Sequence, residues 1–378
     1  MIHTQQNDSR RNFIKKLGAA GFFMSTMSLP SYALEQVLNQ PIQYSPLKPV
    51  NVSPERIIRQ VVGLRPYRPS GFNLSVQKLD EKAIIHNYGH GGGGISLSWG
   101  TASLAIEKIE ASQSTPIAVL GAGVIGLSSA ILLLKQGRPV TIYTDRLPPN
   151  TTSNVAAAYW APVSVFESGM IATGFMDEFN RASIISQRMF QDLVGSRYGV
   201  WWIKSFFLGA SFDFPGGKNL YPDYKQHNST SSPFTGFEIN DEVYSLMIEP
   251  PIYMKALLDD FYQLGGKLIV RKFNDLNELN QLKEPYVMNC TGLGSHDLFK
   301  DKSLIPVQGQ LAVLLPQEEI NYGYVIPTFD DLLYMFPRKD GIILGGTSEK
   351  GNWSLNPNDQ ELTRIMEGHK RIAAGLKP

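Results

Sequence analysis

The sequence predicts an α/β protein built on a doubly wound parallel sheet, and three observations lead there. A short apolar run of strand type, Ile117–Leu120, is followed at once by Gly121-Ala122-Gly123-Val124-Ile125-Gly126, the spacing GxGxxG. A helix-compatible apolar stretch, Leu127–Leu134, is stopped by Gly137 and followed by a second β-branched run, Val140–Tyr143, with Asp145 just past its end. The 378 residues are 43% apolar and 18% charged, enough to bury one or two sizeable cores.

The first 33 residues stand apart from that pattern. They run MIHTQQNDSRRNFIKKLGAAGFFMSTMSLPSYA: a polar stretch, paired Arg10 and Arg11, Phe13, Lys15 and Lys16, a weakly apolar run and a small-residue stop. This reads as an export signal of the twin-arginine type, which carries already folded proteins and places the mature chain in a bacterial periplasm. A basic, frayed N-terminal helix is the plainer alternative. Residues 34–52 are Pro-rich without periodicity and read as a linker or a surface-hugging arm. After Ala33 no apolar run is long enough to span a bilayer. The net charge of +1 is spread along the chain and points to no nucleic-acid or acidic-membrane partner. The single cysteine, Cys290, excludes an intramolecular disulfide.

Each piece of the glycine segment has a physical reason. Gly121 permits the tight turn, Gly123 lets backbone approach a pyrophosphate, and Gly126 allows helix and strand to pack closely. The helix that begins there, through Ala122, Val124 and Ile125, offers unpaired N–H groups to phosphate oxygens. Asp145 can accept from a ribose hydroxyl. Strand, glycines, helix, strand and acid in register argue for a dinucleotide site, without separating NAD from FAD.

Further segments resemble the D-amino-acid oxidase family. They are LPPNTTSNVAAAYWAP (147–162), NCTGLGSHDLF (289–299) with PVQGQ (306–310), LLYMFPRKDGIILGGTSEKGNWSL (332–355), GLRPYRP (63–69) and HNYGHGGGGISLSWGTA (87–102). In the family the last two segments close the chain; here they precede the glycine fingerprint. The sequence therefore resembles a circular permutant, with the family's C-terminal helix (here 101–111) joined through SQSTP to its first strand. New ends would open between the helix after GNW (359–376) and the strand carrying GLRP. Pro378 and residues 50–56 are then expected to lie close together. A local duplication is the alternative, but no second GLRP or HNYGHG occurs downstream.

The resemblance implies FAD as cofactor and oxidative deamination of a D-amino acid, with O2 as electron acceptor. It places the carboxylate-clamping arginine at Arg65, a tyrosine on the same carboxylate at Tyr334, and at Gly92 the carbonyl that faces the amine. The planar fork of a guanidinium suits two carboxylate oxygens, and Pro66 favours extended backbone at Arg65. Arg68, on the opposite face of a strand, reads as structural. Gly91, Gly93, Gly94, Ile95 and Ser96 are implied beside the flavin, at the start of a helix near Ser96. Asp145 and Arg146 are implied at the ribose, Thr151, Thr152 and Ser153 at the pyrophosphate, and Ala157, Ala158 and Tyr159 at the flavin ring; the family usually has glycine where Ala158 stands. Phe273 is implied in a strand touching adenine, and Thr291 and Gly292 near the cofactor. His86 and His90 have helical metal-ligand spacing, but the glycines around them disfavour that helix, so no metal is expected.

GLRPYRP and the HNYGHG segment resemble the acidic-substrate branch of the family, the D-aspartate oxidases, more than the neutral-substrate enzymes; that branch, however, carries an Arg after GGT and a Ser at Gly92, where this chain has Ser348 and Gly92. Arg338 is a candidate replacement cation. The expected lid, residues 327–331, is short and acidic, which favours neutral or basic substrates over D-aspartate. The fold class expected is a flavin domain (84–165 and 255–304, with terminal helices near 53–62 and 351–378) interleaved with a substrate domain containing a mixed or antiparallel sheet (166–254 and 305–350, with 63–83). Four activities stay open: an O2-using D-amino-acid oxidase, a D-aspartate oxidase, a periplasmic dehydrogenase feeding a membrane carrier, and a non-catalytic flavoprotein. The fold also admits other amines as substrates, such as glycine or a secondary amine. The sequence leaves room for a homo-oligomer.

Overall fold

The computed structural model describes residues 46–237, 240–327 and 332–377. The leader, residues 34–45, the lid positions 328–331 and Pro378 lie outside them. The chain enters as an extended arm. Val50 and Val52 are buried, Asn51 exchanges two hydrogen bonds with the Gln317 side chain, and Lys48 O accepts from Tyr322.

Strand β1 (Ile57–Tyr67) follows a single 3₁₀ turn at Pro54–Arg56. The helix expected near 53–62 is thus a strand; its β-branched sequence, with Ile57, Ile58, Val61 and Val62, explains why. A hairpin, β2 (Val76–Leu79) and β3 (Lys82–His86), leads into helix α1 (Gly94–Ile106). This helix begins two residues before the expected Ser96, because the 3₁₀ turn of Gly91–Gly93 runs straight into it, and it ends at Ile106, before the expected Ala111. The fingerprint then appears as β4 (Ile117–Leu120), α2 (Val124–Lys135) and β5 (Val140–Thr144).

Helix α3 (Phe175–Asp192), strands β6 (Val200–Leu208), β7 (Lys225–His227) and β8 (Asn240–Ile248), and helix α4 (Pro250–Gln263) come next. Then follow β9 (Lys267–Val270), β10 (Tyr286–Asn289), the short α5 (Gly294–Leu298) and β11 (Ile305–Leu314). The described chain closes with β12 (Tyr322–Ile326), β13 (Leu333–Arg338), β14 (Gly341–Gly345), β15 (Glu349–Lys350) and α6 (Asp359–Ala374).

Two sheets organise these elements. The first has the order β2-β3-β10-β4-β5-β9, parallel throughout except for the β2–β3 hairpin. Its central strand β4 is buried on both faces. Ile117 and Val119 join the core with α1, α2 and α4, while Ala118 and Leu120 join a second cluster around Leu279 and Leu298. That is the pattern of a parallel sheet covered on both sides. The hairpin at 76–86 lies in this sheet, not with the expected substrate segment 63–83, and α3 packs on α1.

The second sheet is mostly antiparallel, β1-β11-β14-β13-β12-β6-β8-β7, with β15 also pairing to β11. The two sheets are interleaved in sequence: β1 serves the second, β2 to β5 the first, and β6 to β8 the second again. A core cluster on this sheet contains Val50 and Val52 from the start of the described chain together with Ile365, Met366 and Ile372 from its end.

Candidate active site

The parallel strands β3, β4, β5, β9 and β10 all end at one edge of the first sheet. The segments that leave that edge are 87–94, 121–126, 145–146, 271–273 and 290–292. The chain order reverses between β4 and β10, which is where such sheets bind their ligands. Gly121 has φ +103°, in the left-handed region that favours glycine. A Cβ there would stand 2.7 Å from Cys290 O, so the two ends are in close contact. A Cβ on Gly126 would stand 1.9 Å from Gly121 O, whereas one on Gly123 would meet only Ser153 Oγ at 3.4 Å. The turn is thus closed at Gly126 and open at Gly123.

Ala122 N–H donates to Thr144 Oγ1 (3.2 Å) and Val124 N–H to Ser153 Oγ (3.0 Å). The remaining first-turn N–H groups of α2, Ile125 included, have no partner within the helix. Asp145 and Arg146 sit exposed at the end of β5, 3.8 Å apart. Thr151 Oγ1 donates to Asn154 Oδ1, and Thr152 and Ser153 form a 3₁₀ turn opposite Gly123. Thr291 Oγ1 bonds Asn289 Oδ1 and Ser295 Oγ, and Gly292 comes within reach of Pro66 of β1. Phe273 lies beyond the end of β9, in the loop after Val270; the expected strand stops three residues short. It packs edge-on to Tyr143 beneath the Arg271 guanidinium.

Gly91 to Gly94 lead into α1. Cβ atoms on Gly91, Gly92 and Gly93 would strike residues 163–165 at 2.2 to 2.9 Å, so only glycine lets this turn lie flat on that segment. Gly92 itself is exposed, while Ile95 and Ser96 are buried. Ser96 Oγ accepts from Ala161 N–H at 3.3 Å, and Ser96 O accepts from Trp160 Nε1. Ala158 has φ +60°, a left-handed conformation for which glycine is the natural occupant. Tyr159 stacks on Phe336 (4.7 Å, 9°), with Ala157 packed against the same cluster. These residues fit an extended dinucleotide: an open glycine turn at a helix start, a ribose-side carboxylate, and a second glycine turn ahead of α1.

Arg65 and Tyr334 are brought together by the second sheet, three strand steps apart on β1 and β13. Glycines clear the floor between them. A Cβ on Gly309 would stand 2.5 Å from Arg65 Nη2, and one on Gly345 would stand 2.2 Å from the Tyr334 ring. Arg65 Nη1 donates to Thr347 O (3.1 Å) and, at longer range, to Gln308 O. No carboxylate lies within salt-bridge distance of Arg65 among the described residues. The other arginines nearby are committed: Arg68 to Asp301, and Arg338 to both oxygens of Asp340 and to Ala156 O. Arg338 is therefore not a spare cation for a second carboxylate. Burial raises the Tyr334 hydroxyl above its ordinary value, and the Arg65 guanidinium beside it pulls it back.

His86 and His90 do not share a helix. His86 ends β3, bonded to Gln77 and Asn289, and His90 Nε2 pairs with Thr101 Oγ1. Burial lowers their pKa values to about 4 and about 3. No cluster of three or more metal-ligating side chains occurs among the described residues. The floor residues Gly309, Gly345, Gly346 and Thr347 were not singled out from sequence, although they stand in the QGQ and GGT segments.

Fold and site define an FAD-dependent oxidoreductase. A family described as FAD dependent oxidoreductase (DAO) matches residues 243–377. A D-amino acid oxidase of Dugesia ryukyuensis is 30% identical over 271 residues, spanning 69% of this chain and 78% of that protein. A D-aspartate oxidase of Homo sapiens is 30% identical over 256 residues, 66% and 73% of the two chains. Among solved structures, glycine oxidase from Geobacillus kaustophilus aligns with a TM-score of 0.53 at 14% identity, covering 68% of this chain and 78% of that one. L-proline dehydrogenase from P. horikoshii gives the same score at 15% identity, covering 69% and 77%. The chain belongs to the D-amino-acid oxidase family and has FAD as its cofactor.

Proposed function

We propose that the protein oxidatively deaminates free D-amino acids, with O2 as electron acceptor. The observation that carries this reading is Arg65, a half-buried guanidinium with no carboxylate partner among the described residues, set beside Tyr334 on a glycine floor. Arg65 would take both oxygens of the substrate carboxylate and Tyr334 would donate to one of them. Gly92 O would accept from the amine and so hold Cα in place. FAD, when bound, would supply the acceptor for the hydride of Cα and the route of its two electrons to oxygen. No strong base is needed when the amine binds neutral, so the chain's own contribution is positioning and exclusion of water.

The substrates we propose are neutral D-amino acids rather than D-aspartate. Ser348 follows GGT, Arg338 is held by Asp340, and Lys350 is paired with Glu167 at 2.7 Å. An acidic side chain would therefore lack a cation.

Circular permutation belongs to the same proposal. Counted from β4 through the C-terminus and back to β3, the parallel strands of the first sheet read 3-2-1-4-5, the order of a doubly wound sheet. Counted from the N-terminus they read 1-5-2-3-4. Buried residues from both ends of the described chain share one core cluster. We further propose export to the periplasm by the twin-arginine leader, which lies outside the described residues. That leader also favours one alternative, a dehydrogenase that hands electrons to a membrane carrier.

The test is anaerobic mixing of flavin-loaded protein with D- and L-amino acids, followed by admission of air. Bleaching by neutral D-forms with stoichiometric peroxide supports the oxidase. Bleaching with slow reoxidation supports the dehydrogenase, and no bleaching by any amino acid rejects both.

A further inference from the structure

Three consecutive backbone carbonyls, starting at the last residue of β14, each accept from a different long side chain. Gly345 O accepts from His369 Nε2 at 2.9 Å, Gly346 O from Arg364 Nη2 at 2.7 Å, and Thr347 O from Arg65 Nη1 at 3.1 Å. The first two donors stand on the C-terminal helix α6. The third is the guanidinium proposed above to hold the substrate carboxylate. The Tyr334 ring lies against the same peptide, since Cβ atoms on Gly345 and Gly346 would reach it at 2.2 and 2.6 Å. We infer that Arg364 and His369 are positioning residues for the carboxylate clamp, fixing from below the peptide on which Arg65 and Tyr334 rest. This inference stands on the reading of that pair as the clamp.

The local chemistry explains why such bracing is needed. Two adjacent glycines have the widest conformational freedom and no side chains to anchor them. What holds the peptide in place is its own hydrogen bonds. A carbonyl can only accept, so His369 carries its proton on Nε2, and Nδ1 accepts from Tyr324 Oη at 2.6 Å. Burial keeps the ring neutral, with its pKa lowered to about 4. Arg364 is oriented in turn by Glu361 at 2.9 Å.

The helix is locked in register with the clamp at its start. The Gln310 side chain bonds both backbone groups of the cap residue Asn358, at 2.7 and 3.0 Å. The Gln310 backbone N–H donates to Thr347 Oγ1 at 2.8 Å. Farther along, Gly368 lets α6 approach β13, where a Cβ would stand 2.5 Å from the Leu333 side chain, one residue from Tyr334.

The test uses flavin-loaded Arg364→Met, Arg364→Lys and His369→Phe, with Arg65→Met and Tyr334→Phe as references. Binding of pyruvate, which has the carboxylate but no hydride to give, is read from the flavin spectrum. Steady-state oxidation of D-alanine is measured beside it. Arg364→Met and His369→Phe are expected to raise the pyruvate Kd and the D-alanine KM about tenfold while kcat stays within about threefold. Arg364→Lys should recover part of the loss. Arg364→Met added to Tyr334→Phe should cost little more than Tyr334→Phe alone, because both act on one peptide.

Wild-type pyruvate binding in loaded Arg364→Met, or full additivity with Tyr334→Phe, overturns the inference. Arg364 is partly exposed, so its variants answer the question even where His369→Phe does not fold. An unchanged Kd in Arg65→Met overturns the clamp itself and this inference with it. A Kd lost in Arg65→Met but kept in Arg364→Met overturns only the positioning role.

Discussion

At the scale of single residues, Arg65, which has no carboxylate partner among the described residues, is the feature with the largest expected effect. Each charge-assisted hydrogen bond is worth roughly 1.5–3 kcal/mol. Arg65→Met should therefore lower kcat/KM on D-alanine about 100-fold or more, mainly through KM. Gly309→Ala makes the matching steric test, since its Cβ would stand 2.5 Å from Arg65 Nη2. It should raise KM while leaving the flavin bound. Three of the buried histidines contribute to the acid response. His86, His90 and His369 have pKa values lowered to about 4, 3 and 4, below the ordinary value near 6.5. The unfolded chain then binds more protons than the folded one below that value. Their contribution to stability is full above about pH 6.5 and declines as pH falls toward 4, these three rings together taking up about three protons on unfolding near pH 5. Urea unfolding at pH 7 and pH 5 measures this, and equal midpoints would count against it. Arg65 and Tyr334 could be named from sequence because their motifs are long. Their glycine floor could not, because nothing local says which side chain will lie over Gly309 or Gly345.

At the scale of elements, the fingerprint was legible almost residue by residue. A strand buried on both faces has no polar face to confuse the pattern, and a glycine turn marks its end. Strand β1 was misread at its start because its alternation is blurred: Arg59 and Gln60 interrupt the β-branched run before the pairing with β11 becomes apparent. Phe273 was misplaced because the edge strand β9 is short and leaves the sheet early. Helix α1 shows what close packing demands. A Cβ on Gly100 would stand 1.9 Å from Ala182 O of α3, and Gly100 N–H meets Ser186 Oγ at 2.8 Å. Gly100→Ala should cost roughly 1–3 kcal/mol, the usual penalty of overpacking. A scanning calorimeter should show this as a Tm lower by about 2–10 °C. An unchanged Tm would mean that the two helices separate freely.

At the scale of the whole molecule, the family resemblance supplied the two-sheet architecture that periodicity could not, since strands that pair across hundreds of residues leave no local trace. The permutation reading has a direct test. A chain that begins at Ser114, runs to Lys377, passes through a short Gly/Ser linker to Pro46 and ends at Ala111 should fold, bind FAD and oxidise D-alanine within about threefold of the original, as permutants opened at exposed loops do. Failure to bind FAD would argue that the present order is required.

The pairing of β1 with β11 has a further consequence, for synthesis. Arg65 and Gln308, neighbours across that pairing, are 243 residues apart in the chain. At about 5–20 residues per second, a ribosome needs on the order of 10–50 seconds to travel between them. Throughout that interval β1 has no partner strand, and its row of free N–H and C=O groups is open to any other extended segment. Arg65 is thus made 243 residues before the Gln308 carbonyl that it meets. Nascent chains of this protein should depend on a holding chaperone more than a rearranged chain in which this strand is placed next to β11 in sequence.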